Sequence, residues 1–122
     1  MTACEARERF DDVEELVRPL ARVDRAVVIG DVAGELRLVT RSGTRLVGAT
    51  WIGDGAGEQL ALLGTVLGRR GSIATLAAVQ HGYPTLGEAS RDAAFEQQVA
   101  RTATPMARRL LRRAVPVLSR LS

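Results

Sequence analysis

Lysine is missing altogether: the 122-residue chain carries 17 basic side chains, and every one is arginine. Chemistry alone seldom excludes every lysine, so the pattern reads as a bias towards GC-rich codons. Cysteine occurs once, at Cys4, which excludes an internal disulfide and a cysteine-based redox pair. No metal site is expected. Aromatic residues are scarce, with Phe10, Trp51, Tyr83 and Phe95 as the whole set, so the core must be built from Leu, Val and Ala. No apolar run approaches the roughly 20 residues of a membrane span. Glu5 and Glu8 stand where a signal peptide would be apolar. The expected compartment is the cytoplasm.

The length fits one domain, too short for a cofactor domain plus a substrate domain. A hydrophobic share of 46% with 25% charged residues is ordinary for a soluble globular protein. The net charge of +3 is unevenly spread. Residues 101–122 hold Arg101, Arg108, Arg109, Arg112, Arg113 and Arg120 with no acid, which leaves 11 Arg against 14 acids in the first 100 residues. A mildly acidic body with a basic tail is not a nucleic-acid-binding pattern, and no nucleic-acid partner is expected.

Glu5 to Phe10 reads as a short charged helix, and Val13 to Leu20 as a weak strand that stops at Pro19. Ala21 to Ile29 mixes charged residues with valines, and its type stays open. Gly34 to Thr40 alternates, with Leu36 and Leu38 opposite Glu35 and Arg37. A turn at Arg41-Ser42-Gly43-Thr44 leads into a second strand, Arg45 to Ile52, with Val47, Ala49 and Trp51 on one face. Two alternating runs joined by a Gly-containing turn predict a β-hairpin. Beyond Gly57, Leu60, Leu63, Val66 and Leu67 recur at helical spacing until Arg69-Arg70-Gly71, a C-terminal stop. Ser72 caps a short helix through Val79, a third helix runs from about Leu86 to Val99, and a basic fourth from about Pro105 to Arg113. The fold class is α+β, an antiparallel sheet with its central hairpin at about 34–52 packed against helices, with a C-terminal basic helix.

The run Trp51-Ile52-Gly53-Asp54-Gly55-Ala56-Gly57-Glu58 follows a strand and opens a helix. It fails as a dinucleotide fingerprint, because Glu58 occupies the third Gly position and would face the pyrophosphate. A flexible strand-to-helix turn is the better reading.

The octet His81-Gly82-Tyr83-Pro84-Thr85-Leu86-Gly87-Glu88 carries two readings. In the structural one, Thr85 and Glu88 form a capping box, Pro84 sets the helix entry, Tyr83 packs and His81 is a loop residue. In the functional one, the octet resembles the His-x-His-Pro-Thr-x-x-Glu signature near the C-terminus of the FAD-dependent pyridine nucleotide–disulfide oxidoreductases. That family includes dihydrolipoamide dehydrogenase, glutathione reductase and mercuric reductase. The resemblance extends upstream in the family's order, through Cys4 to Arg9, Arg18-Pro19-Leu20 to Asp24-Arg25-Ala26, Gly34 to Thr40, Leu46 to Thr50 and Gly57-Glu58. It covers roughly residues 2–98 and implies a dimerisation (interface) domain at 1–100, followed by an Arg-rich amphipathic tail at 101–122.

In that family the His before Pro-Thr pairs with the Glu to manage the proton of a redox-active thiol in the other subunit, a carboxylate orienting an imidazole. The matching pair here is Tyr83 and Glu88, while His81 matches the earlier, non-catalytic His. A phenol with a pKa near about 10 is a poor base at neutral pH but can donate a hydrogen bond. Two versions stay open: a Tyr-using branch, or a member that lost its dithiol-coupled base, with His81 acting instead as a further option. Tyr83 and Pro84 are the implied contacts to a partner's flavin. The resemblance implies FAD and NAD(P) for a parent or partner enzyme, with none bound by this chain alone. It also implies that the family's FAD and NAD(P) domains and the interface domain's first strand are lacking. The chain then reads as non-catalytic on its own. The implied partner is a second copy, or a separately encoded flavoprotein subunit completed in trans. A stand-alone adaptor with weak membrane-surface contact through residues 105–121 is the third reading.

Overall fold

The computed structural model describes residues 1–103. The basic helix expected at 105–113, and the membrane-contact segment with it, lie outside the described residues. A short helix α1 (Ala3–Arg7) opens the chain, earlier than its charge pattern suggests, because Thr2 and Glu5 form a reciprocal capping box. Strand β1 (Val13–Pro19) follows, then a 3-10 turn (Leu20–Arg22) and the open segment resolves into helix α2 (Asp24–Ile29). A run of β-branched residues hides this helix from a pattern reading. Gly30, at φ 78°, ends it in a left-handed conformation that glycine adopts without a Cβ penalty.

The hairpin β2 (Glu35–Arg41) and β3 (Arg45–Ile52) forms as expected, and β1 extends it to an antiparallel sheet of order β1-β2-β3. The register shifts between Val39 and Thr40: Val39 faces Gly48 and Thr40 faces Leu46, so Val47 is left over as a bulge. The bulge corrects the expected face. Leu46 rather than Val47 joins Trp51 in the core, with Ala49 packed against it.

Helices α3 (Ala56–Gly68), α4 (Ile73–Ala77) and α5 (Glu88–Thr102) complete the described elements. Ser72 caps α4 as expected, in a reciprocal box with Thr75. Helix α5 outruns its expected end at Val99 and runs to Thr102. Residue 100, the expected domain limit, therefore lies inside α5. Leu20, Leu36, Leu38, Leu46, Leu63 and Leu76 are fully buried or nearly so and form one core with Trp51, Ile73 and Ala94, an aliphatic interior as the composition requires. Val39 and Ala6 are buried but outside that cluster, and Ala6 lies on α1, which contacts β1 and β3. The structure is α+β, and among the described residues no helix is long and apolar enough to cross a membrane.

Candidate functional site

The octet forms the connection between α4 and α5, and its residues divide between inside and outside. Tyr83 is 73% exposed, on a cis Tyr83–Pro84 peptide. Its hydroxyl donates to Asp24 Oδ2 at 2.6 Å, reaching the first turn of α2. That hydrogen bond, then the Asp24 charge, raises the phenol's pKa above its ordinary value, with Glu88 adding a weaker push in the same direction. Tyr83 is therefore held protonated more firmly than a free phenol.

Glu88 is only 6% exposed, and both of its oxygens are engaged. Oε2 accepts the Thr85 backbone N–H at 3.2 Å, and Oε1 accepts from Arg91 Nη2 at 3.3 Å. The capping box is thus half made. Glu88 reaches back to Thr85, but Thr85 Oγ1 is buried without a partner. Successive three-residue bonds (Glu88 N to Thr85 O, Ala89 N to Leu86 O, Ser90 N to Gly87 O) tighten the entry and put Gly87, not Thr85, at the N-cap.

His81 lies against Gly87, where an added Cβ would overlap its ring. Its Nε2 is shielded and has no hydrogen-bond partner. Burial first, and then the Arg91 charge, lower the imidazole pKa, against the opposing charges of Glu88 and Asp92. The surroundings thus favour the neutral imidazole, which lies within the field of Glu88 and is not hydrogen-bonded to it.

The arrangement places Tyr83, His81 and Glu88 around one loop without joining them. Tyr83 is tied to Asp24, Glu88 is tied to Thr85 and Arg91, and Pro84 is exposed beside the phenol. Sequence reasoning missed two residues. Arg91 was discoverable as the i+3 neighbour of Glu88 on a helix. Asp24, 59 positions from Tyr83, carries no local signal.

The Gly-rich turn at 53–58 does not fit a pyrophosphate. Helix starts hold anions through free backbone N–H groups, but here Asp31 Oδ2 accepts the Asp54 N–H at 2.7 Å. Glu58 adds a further carboxylate in the first turn of α3, and Trp51 Nε1 closes the turn onto Asp54 O at 3.0 Å. Among the described residues no group of His, Cys, Asp and Glu forms a metal cluster.

Sheet, helices and loop define an α+β domain in which the octet links α4 to α5, with no nucleotide cradle in the turn that most resembles one. The chain belongs to the pyridine nucleotide-disulphide oxidoreductase dimerisation-domain family, whose pattern matches residues 1–94. It is similar to dihydrolipoyl dehydrogenase of Geobacillus stearothermophilus, at 33% identity over 91 residues, which are 74% of this chain and 19% of that protein. The HOCl-induced flavoprotein disulfide reductase RclA from Escherichia coli superposes in its Cu(II) complex with a TM-score of 0.72 at 25% identity, covering 77% of this chain and 22% of that one. A further RclA structure gives 0.70 at 25% identity, covering 75% and 21%. The chain spans about a fifth of the length of these relatives.

Proposed function

We propose that this domain works by mating with a second copy of itself and presenting the octet to a flavin or thiol site that other domains supply. It performs no electron transfer alone, and FAD and NAD(P) belong to the parent or partner enzyme. The supporting observation is the division within the octet, in a member of a dimerisation-domain family: the Tyr83 ring faces outward while Glu88 anchors the loop from beneath. Tyr83 with Pro84 is the surface offered to the cofactor, and Glu88 and His81 set the loop's shape and charge. The cytoplasm remains the proposed compartment.

Light scattering at tens of micromolar tests the reading. The expected mass is about twice 13.1 kDa, and a strict monomer across that range refutes the homodimer. A monomer that binds a flavoprotein lacking its own interface domain would identify the in-trans reading instead. Added FAD is expected to leave on desalting; retained flavin absorbance would overturn the view that the cofactor is held elsewhere.

A further inference from the structure

We propose that Asp24 is a positioning residue for Tyr83: it takes the phenol's single donor bond, so Tyr83 meets a docking group as a hydrogen-bond acceptor with an open ring face. This deepens the reading above and rests on it for the identity of the docking surface. A phenol has one O–H to give and lone pairs to receive. The 2.6 Å bond to Asp24 commits that hydrogen across the fold and leaves the lone pairs and the ring at the surface.

The surroundings suit that role. Asp24 opens α2, where helical spacing puts Val27 and Val28, at i+3 and i+4, on its own side of the helix. Both valines are exposed. The exposed phenol oxygen matches a partner that brings an N–H or S–H donor, and it does not match a carboxylate or another acceptor. The two charged groups acting on the phenol, Asp24 and Glu88, are both acidic, and both oppose a phenolate there. Tyr83 is thus unsuited to take over the base role of the imidazole it replaces.

The chain has one tyrosine, so phenolate absorbance near 295 nm reports on Tyr83 alone. The whole chain is titrated upward in pH, with circular dichroism at each step marking the range in which it stays folded. Wild type is expected to titrate above the ordinary value of about 10, Asp24→Asn to fall back towards it, and Asp24→Glu to recover part of the shift. Equal midpoints for wild type and Asp24→Asn, both folded, overturn the proposal. The titration needs no partner, so a monomeric protein that shows the midpoint shift keeps the Asp24 bond and refutes only the dimer.

Discussion

Replacing Glu88 by Ala tests whether the residue that matches the family's acid is first a structural one. The carboxylate accepts a backbone N–H from Thr85 and a guanidinium N–H from Arg91, in an almost fully buried setting. Leaving the Thr85 N–H without its acceptor costs about 1–3 kcal/mol, in the same range as removing a helix cap, about 0.5–2 kcal/mol. Loss of one buried methylene adds about 0.8 kcal/mol. Arg91 loses little, since it keeps Asp92 at 2.9 Å and is partly exposed. The expected destabilisation is about 2–4 kcal/mol, against a typical domain stability of about 5–15 kcal/mol. Glu88→Ala therefore stays folded but weakened. Glu88→Gln retains an acceptor for Thr85 and should lose only about 1 kcal/mol. Urea unfolding followed by fluorescence of Trp51, the single and buried tryptophan, reads both variants. With a mid-range slope of about 2 kcal/mol/M, the midpoint for Glu88→Ala should fall by about 1–2 M. A Glu88→Ala midpoint within error of wild type would refute the reasoning and leave the carboxylate free for chemistry.

Gly87→Ala should displace the His81 ring without breaking the helix entry, because Gly87 has an ordinary φ of −59°. The NMR titration of the single histidine then moves up towards the usual value of about 6.5; an unmoved midpoint would mean the ring is not held there. The depressed pKa favours the neutral form in the fold, so its stabilisation is present above about pH 6.5 and lost as pH falls through the folded value. Urea midpoints from pH 8 to pH 5 should lose this dependence in His81→Gln. Arg18→Ala should cost about 3 kcal/mol and Glu96→Ala under about 1 kcal/mol in chemical denaturation, because Arg18 is buried on three partners while Glu96 is half exposed. Equal losses would show that the ion pair, and not the burial of Arg18, sets the energy. Gly34→Ala should lower stability by about 1–3 kcal/mol, since its Cβ would run into the Ile52 carbonyl and lie 2.8 Å from Leu20 Cδ1. A thermal melt unchanged from wild type would mean the two chain segments can separate at no cost.

Elements with a local signal were legible. The hairpin followed from alternation around Gly43, and α4 from Ser72 beside a short apolar run. The bulge at Val47 was not, because an extra residue in a strand leaves the alternation intact on either side and only pairing reveals it. Helix α2 was hidden by Val27, Val28 and Ile29, whose strand preference is overridden by the core contact of Ala26 and the stop at Gly30. The site shows the same divide. The Glu88 bonds to Thr85 and Arg91 span three residues each and follow from helical geometry. The Tyr83 bond to Asp24 depends on how α2 packs beside the α4–α5 connection, which no residue near Tyr83 encodes.

The structure puts the two ends of the octet in different settings, one inward at the helix entry and one outward at the surface. Glu88 faces inward and fixes the first turn of α5; Tyr83 faces outward and carries the exposed surface. In a pair where an imidazole and a carboxylate act together, the carboxylate must be free to orient its partner. Here the Glu88 carboxylate is spent on a backbone N–H and an arginine, and Tyr83 leans on a different acid, Asp24. Restoring histidine by Tyr83→His would therefore not by itself restore the pair. An imidazole at residue 83 is shorter than the phenol and would face Asp24 across a gap, so its titration midpoint should follow the Asp24 charge in Asp24→Asn rather than Glu88→Gln. A midpoint that shifts with Glu88→Gln alone would show that Glu88, and not Asp24, governs a group at residue 83.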